Sequence, residues 1–298
     1  MPDGRTLTLG LLQHACPTSA TRDENLARAE ALAADAVERG AALLVTQELF
    51  TGYYFPQAED ETRFDLAEPI PGPTTEALAS WATRWGVHVS GSLFERRGPG
   101  VYHNTSVLLD PSGAIVGTYR KMHIPDDPRF YEKYYFTPGD LGFNSFGVGP
   151  RGEGEGPGVG MLVCWDQWFP EAARLTAMSG ADVLLYPTAI GYYHGETHAD
   201  RAAQRDAWRT VQRSHAIANG VFVAAINRVG VEDDLTFWGS SFVVDPAGVV
   251  VAEASADRDE ALVVTCELSK IESSRRGWPF LRDRRIDAYL PLTQRMLT

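Results

Sequence analysis

Cysteine is scarce: three in 298 residues, Cys16, Cys164 and Cys266, widely spaced and without a C-x-x-C pair. That argues against a disulfide framework and a cysteine zinc cluster, and fits a reducing cytosol. Long apolar runs are missing too; residues 221–226 are typical of the longest, far short of a membrane span. The opening Met1-Pro2-Asp3-Gly4-Arg5 lacks the basic-then-apolar layout of a signal peptide. Cytoplasmic localisation is expected by elimination. No Ser/Gly/Pro-rich linker divides the chain, so one domain over 1–298 is expected, with the glycine-dense stretch 147–160 as a surface loop. His194 and His198 lie four apart, but Gly195 and Thr197 argue for a loop, and no metal is expected. Basic residues are outnumbered: a net charge of -12 disfavours nucleic acid and anionic membranes as partners and suits a cationic small molecule.

What is present is an alternation of strand and helix patterns. Residues 6–12 alternate as a strand, and Thr21-Arg22-Asp23-Glu24 has capping-box spacing. Leu26, Ala29, Leu32, Ala33, Ala36 and Val37 then follow a helical stripe that stops at Gly40. An apolar strand at 41–46 runs into Gln47-Glu48, and a helix at about 74–85 leads into strands at 87–94 and 101–109. The second half repeats the habit: a strand ending at Cys164, a helix at about 169–179 and a strand at 182–186. A helix at about 202–218 and a strand at 221–226 follow.

Two segments carry an internal pseudo-repeat. Asp110-Pro111-Ser112-Gly113 and Asp245-Pro246-Ala247-Gly248 each separate two apolar runs, with Asp, Pro and Gly where a type I turn takes them. Both halves thus predict β-α-β units closed by a hairpin. Two mixed sheets packed face to face, with helices outside, would make a four-layer α-β-β-α sandwich. A single doubly wound sheet fits the pattern nearly as well.

Cys164 ends an apolar run and precedes a helix opened by Pro170, with Glu171 behind it. At such a strand-to-helix turn the unpaired N–H groups favour a thiolate and can hold an oxyanion. Glu48 and Lys121 each end a strand-like run as well, and Glu132 lies in the aromatic stretch 129–136. A cysteine hydrolase needs a base for the thiol proton and positive charge or N–H donors at the oxyanion, which these residue types supply without histidine. Spacing alone leaves Glu48 and Lys121 equally readable as a surface ion pair. Trp168, Tyr54, Tyr192 and Trp238 are candidates to line a pocket and cradle a cation, and Asn104 to steady the lysine. Cys16 and Cys266 read as structural, and Glu171 and Arg174 as an ion pair at a helix start.

Three blocks decide between these readings: Gln47-Glu48-Leu49-Phe50-Thr51-Gly52-Tyr53, Tyr119-Arg120-Lys121-Met122-His123-Ile124-Pro125, and Cys164-Trp165-Asp166-Gln167-Trp168-Phe169-Pro170-Glu171. In order and separation they resemble the signature blocks of the nitrilase (carbon–nitrogen hydrolase) superfamily. The resemblance implies the four-layer α-β-β-α sandwich, a dimer formed through its helices that assembles further, and a residue 270–298 tail used in subunit contacts. It carries the catalytic triad onto Glu48, Lys121 and Cys164, a supporting role onto Glu132, and oxyanion binding onto the Trp165 N–H. It implies no cofactor.

The stretches Met122-His123-Ile124-Pro125-Asp126-Asp127-Pro128, Tyr131-Glu132-Lys133 and Tyr186-Pro187-Thr188-Ala189-Ile190-Gly191 are similar to the N-carbamoylputrescine amidohydrolase branch. That likeness implies a cysteine-dependent hydrolase of a carbamoyl amine. The chain departs from the branch after Gly191: where Ser-Glu-Pro is expected it reads Tyr192-Tyr193-His194-Gly195-Glu196, and Glu196 is the candidate replacement for the missing carboxylate. Tyr54, Asn104, Trp165, Trp168 and Glu196 are therefore the candidate substrate contacts. The alternatives are an amidase for a β-ureido acid, an ω-amide or another N-carbamoyl amine, and a catalytically silent nitrilase-like binding module. The last would have lost a triad member, and none is lost here.

Overall fold

A computed structural model of the chain describes residues 5–149 and 156–297. The first half runs β1 (Thr6–Gln13), α1 (Arg22–Glu38), β2 (Leu43–Thr46), α2 (Pro73–Trp85), β3 (His88–Gly98), β4 (Val101–Leu109) and β5 (Ile115–Arg120). A one-turn helix α3 (Glu132–Tyr135) and β6 (Ser145–Gly147) connect the halves. The second half runs β7 (Gly158–Met161), α4 (Pro170–Met178), β8 (Val183–Pro187), β9 (Gly191–Tyr193) and α5 (His198–Asn219). It continues through β10 (Phe222–Ile226), β11 (Val229–Glu232), β12 (Leu235–Trp238), β13 (Phe242–Val244) and β14 (Val250–Glu253). Strand β15 (Glu260–Glu267) and α6 (Ser269–Gly277) follow.

Two six-stranded sheets result, in the orders β15-β1-β2-β3-β4-β5 and β14-β13-β10-β8-β7-β6. In the first, β1, β2 and β3 are parallel and the outer strands antiparallel. In the second, β7, β8 and β10 are parallel in the same way. Strand for strand, β1 to β5 correspond to β7, β8, β10, β13 and β14, so the pseudo-repeat is a property of the topology. The doubly wound alternative is excluded, because no strand pairing joins the two sheets among the described residues.

Both repeat turns form as the Asp-Pro-x-Gly spacing predicts. Asp110 Oδ1 accepts from the Ser112 and Ala114 N–H groups at 2.8 and 3.1 Å, and Asp245 Oδ1 from Ala247 and Val249 at 3.0 and 3.1 Å. Gly113 and Gly248 take φ of 81° and 82°, a left-handed conformation that side chains resist.

Period-two alternation sorts the strands' side chains between two cores. Leu9, Leu11, Leu43 and Val45 share a buried cluster with Val159, Leu184 and Val223 of the second sheet. Leu12 and Leu44 instead join Ala29, Ala33, Ala36, Leu78 and Trp81 of α1 and α2. Helices α1 and α2 thus cover one sheet, and α4 and α5 pack against the other. The predicted capping box holds: the Glu24 N–H reaches Thr21 Oγ1, and Glu24 Oε2 takes the Thr21 N–H at 2.7 Å.

Three local readings need correction. Helix α5 begins at His198, not near 202, because Thr197 and Asp200 form a second capping box with aspartate in the usual glutamate position. The 147–160 stretch links a strand pair, β6 with β7, its residues 150–155 lying outside the described set. Glu171 and Arg174 form no ion pair; Arg174 donates to the Ala218 carbonyl at 2.8 Å. Tyr192 and Trp238 pack on each other, rings 4.7 Å apart, and are not among the residues that line the Cys164 cavity, while the Arg201 guanidinium lies 5.7 Å over the Tyr192 ring. Among the described residues no group of three or more metal-ligating side chains occurs, and no helix is long and apolar enough to cross a membrane.

Candidate active site

Strand ends bring the candidate residues together. Past β2, the Gln47 amide is locked on His14: its Oε1 takes the His14 N–H and its Nε2 donates to the His14 carbonyl, both at 2.8 Å. The chain then turns at Leu49, whose φ of 47° is rare for a side chain of that size, and Glu48 is fully buried. Lys121 leaves β5 with its N–H donating to the Asn104 carbonyl at 2.8 Å.

Lys121 Nζ lies 2.8 Å from Glu48 Oε1 and 2.6 Å from Glu132 Oε2, all three side chains without solvent exposure. Asn104 Nδ2 donates to the same Glu48 oxygen at 2.7 Å, and the Tyr54 hydroxyl donates to Glu132 Oε1 at 2.6 Å. Glu48 Oε2 has no hydrogen-bond partner among the described residues. Burial opposes the Lys121 charge, yet Glu132 and Glu48 together push its pKa above the ordinary lysine value. Burial pushes Glu132 up to about 7, the Glu48 charge adding to it and Lys121 opposing.

Cys164 is 5 % exposed and takes a φ of 44° at the head of a single 3-10 turn, Cys164–Trp168. Burial holds its thiol well above the ordinary value; Glu48 adds to that, while Lys121 and a hydrogen bond from the Ala189 N–H favour the thiolate. Both burial and Glu48 thus favour the thiol over the thiolate, and its chemistry calls for a base. Trp165 follows in the first turn, where backbone N–H groups have no intrahelical acceptor.

The thiol opens into a cavity of about 480 Å³ walled by Pro125, Phe130, Trp165, Trp168, Ile190 and Tyr193 among others. Among the described residues its charged lining groups are two carboxylates, Asp127 and Glu196, and none is cationic. Glu196 Oε1 accepts from Gln204 Nε2 at 2.8 Å, leaving Oε2 unpartnered. Of the candidate contacts, Trp165, Trp168 and Glu196 line this cavity. Tyr54 and Asn104 do not: both are fully buried and spend their polar groups on Glu132 and Glu48.

Sequence reasoning passed over two residues that hold this arrangement. Asp166 binds across the blocks: Oδ2 accepts from the Tyr119 hydroxyl and the Val163 N–H at 2.8 and 2.9 Å. Its Oδ1 takes the His123 N–H and ring Nδ1 at 3.0 and 2.7 Å. Arg228, fully buried, bonds the Glu48 carbonyl at 2.7 Å. The signal was available for Arg228, a charge placed directly after the apolar run 221–226 and Asn227, as Glu48 is placed after its own strand.

Known proteins share this architecture. The chain is 43% identical to an N-carbamoylputrescine amidase of Solanum lycopersicum, over 96% of this chain and 94% of that protein. It is 40% identical to a citrullinase of Francisella tularensis, over 89% of this chain and 91% of that one. A carbon–nitrogen hydrolase structure from Helicobacter pylori superposes with a TM-score of 0.92 at 43% identity, covering 98% of this chain and 100% of the other. An amidase from Nesterenkonia sp., carrying the acetamide moiety of fluoroacetamide on its active-site cysteine, superposes with a TM-score of 0.77 at 28% identity, covering 96% of each chain. The carbon–nitrogen hydrolase family pattern matches residues 8–276. This chain belongs to the carbon–nitrogen hydrolase family.

Proposed function

We propose that this protein hydrolyses the ureido C–N bond of a linear carbamoyl amine, with N-carbamoylputrescine as substrate, through a Glu48-Lys121-Cys164 triad. The observation that carries the chemistry is the buried Lys121 ammonium shared by two carboxylates, one with an unpartnered oxygen, acting electrostatically on a protonated cysteine. Glu48 Oε2 takes the Cys164 proton as the sulfur attacks the ureido carbon, and Lys121 with the Trp165 N–H stabilises the oxyanion. The C–N bond breaks as Glu48 returns the proton to the leaving nitrogen, which leaves a thiocarbamate on the sulfur. Water deprotonated by Glu48 then splits the C–S bond, and the released carbamate falls apart. The balance is one water consumed and an amine, ammonia and carbon dioxide formed. Glu132, held by Tyr54, fixes the Lys121 ammonium.

The substrate reading rests on the Solanum relative and on the cavity's two carboxylates, which suit a cationic tail. Nothing in this chemistry calls for a metal or cofactor. We further read 1–298 as one domain, placed in the cytoplasm, as its three free thiols suit. A homo-oligomer built from dimers is supported by the exposed Trp278, Phe280, Ile286, Leu290 and Leu292 of the 270–298 tail.

Intact-mass detection of the Cys164 adduct, while N-carbamoylputrescine is compared with β-ureido acids, citrulline and ω-amides, tests both parts. A carbamoyl adduct and fastest turnover with N-carbamoylputrescine are expected, with Cys164→Ala inert. Full activity in Cys164→Ala would end the proposal; faster turnover of an acidic or zwitterionic substrate would end the substrate assignment alone.

A further inference from the structure

Among the described residues, Arg228 and Glu232 form the most deeply buried ion pair apart from the Lys121 cluster. Both side chains are at most 1 % exposed, and Arg228 Nη1 lies 2.9 and 3.1 Å from the two Glu232 oxygens. Removing two ions from water costs several kcal/mol each, and apolar replacements of such pairs are often neutral or stabilising. Stability alone therefore gives little reason for the pair. Glu232 ends β11, in a small three-stranded sheet (β11-β12-β9) that the first half of the repeat lacks.

The pair's remaining bonds all go to one segment. Arg228 Nη2 donates to the Glu48 and Leu49 carbonyls at 2.7 and 3.1 Å, and Nη1 to the Gly52 carbonyl at 3.2 Å. Successive carbonyls of an extended chain point to opposite sides. Here the left-handed turn at Leu49 aims both at one guanidinium nitrogen, and the Leu49 N–H is held by Ser92 Oγ at 3.2 Å. Glu232 Oε2 also accepts the Tyr54 N–H, and the Tyr54 hydroxyl ends on Glu132. One ion pair thus reaches both carboxylates that flank Lys121.

We infer that Arg228 and Glu232 are positioning residues for catalysis: their ion pair clamps residues 48–54, fixing Glu48 against Cys164 and Tyr54 against Glu132. This rests on the reading of Glu48 as the base for Cys164, but not on the identity of the substrate. A lysine at 228 keeps the charge but carries its donors on one nitrogen, so it cannot span three carbonyls and a carboxylate.

The test uses the whole 298-residue chain with Arg228→Lys and, as a second variant that does not depend on the first one folding, Glu232→Gln, which keeps the shape and an acceptor for Arg228. Each is measured for thermal unfolding, for kcat and KM, and for the rate at which iodoacetamide alkylates Cys164 at pH 7. Alkylation reads the glutamate–thiol pair without any substrate. Folded Arg228→Lys should lose roughly tenfold or more in kcat and alkylation rate with KM within about threefold, and Glu232→Gln about three- to tenfold. Native alkylation rates and kcat within twofold in either folded variant would overturn the inference. A contrast in alkylation with no turnover of any carbamoyl amine would sustain it while removing the substrate assignment.

Discussion

Asn104 Nδ2 lies 2.7 Å from Glu48 Oε1, the oxygen that Lys121 also holds, so both donors collect on one side of the carboxylate. That leaves Oε2 as the free lone-pair site. Asn104→Leu removes a hydrogen bond to a charged group, worth about 1.5–3 kcal/mol, and frees the carboxylate to rotate. A fall in kcat/KM of roughly 10- to 100-fold is expected, together with a lowered unfolding temperature. Steady-state kinetics on the purified variant checks it, and unchanged kinetics would remove Asn104 from the site.

The acid limb of activity should be set by Glu132. Burial raises this carboxyl from 4.5 to about 7, so its proton returns as the pH falls through neutrality and the short contact to Lys121 is lost. We expect kcat to decline below pH 7. The folded chain binds this proton more tightly than the unfolded chain does. Its contribution to stability is therefore complete below about 4.5 and is lost as the pH rises through about 7, opposite in sense to activity. A kcat profile flat down to pH 5.5 would contradict the assignment.

Asp166 accepts four hydrogen bonds, two on each oxygen: three fasten the cysteine block to Tyr119 and His123 of the lysine block, and the fourth holds the Val163 N–H beside Cys164. In Asp166→Asn one oxygen becomes an N–H₂ that faces donors. Destabilisation of about 2–3 kcal/mol is expected, read as a lower urea midpoint with activity lost in proportion. A variant of native midpoint would show that the two blocks do not depend on this carboxylate.

Glu196 and Asp127 should govern selectivity and leave the chemistry alone, since both line the cavity and neither touches the triad. Glu196→Gln should raise KM for N-carbamoylputrescine roughly three- to tenfold and leave KM for the uncharged N-carbamoylbutylamine unchanged. Asp127→Asn, at a more exposed position, should act in the same direction and less. Equal effects on both substrates would assign these residues to cavity shape instead of charge.

The architecture was largely legible because it rests on local patterns. The capping box at Thr21, the stop at Gly40 and the paired Asp-Pro-x-Gly turns each need only a few adjacent residues. Which sheet each strand joins is not local, and the pattern left a single sheet open until the topology settled it. Glu48, Lys121 and Cys164 could be nominated because each follows a strand-like run, but nothing in their spacing says that Lys121 would sit between Glu48 and Glu132. Asn104 sits at the lysine end of the site as its sequence position suggests, but burial turns it and Tyr54 toward carboxylates and away from the cavity where substrate contacts are expected. Arg228 acts through backbone carbonyls of a segment about 180 residues away, as the separation from Glu48 shows, and no periodicity reports such a pairing.

The outer strand of the first sheet, β15, comes from the far end of the chain and lies antiparallel to β1 along its whole length, Thr6 opposite Glu267 and Gln13 opposite Glu260. While a nascent polypeptide is still short of residue 260, β1 keeps a bare margin of unpaired amides and the layer that carries Glu48 is unfinished. Closing the edge of the layer that carries Glu48 thus depends on a segment more than 200 residues further along the chain.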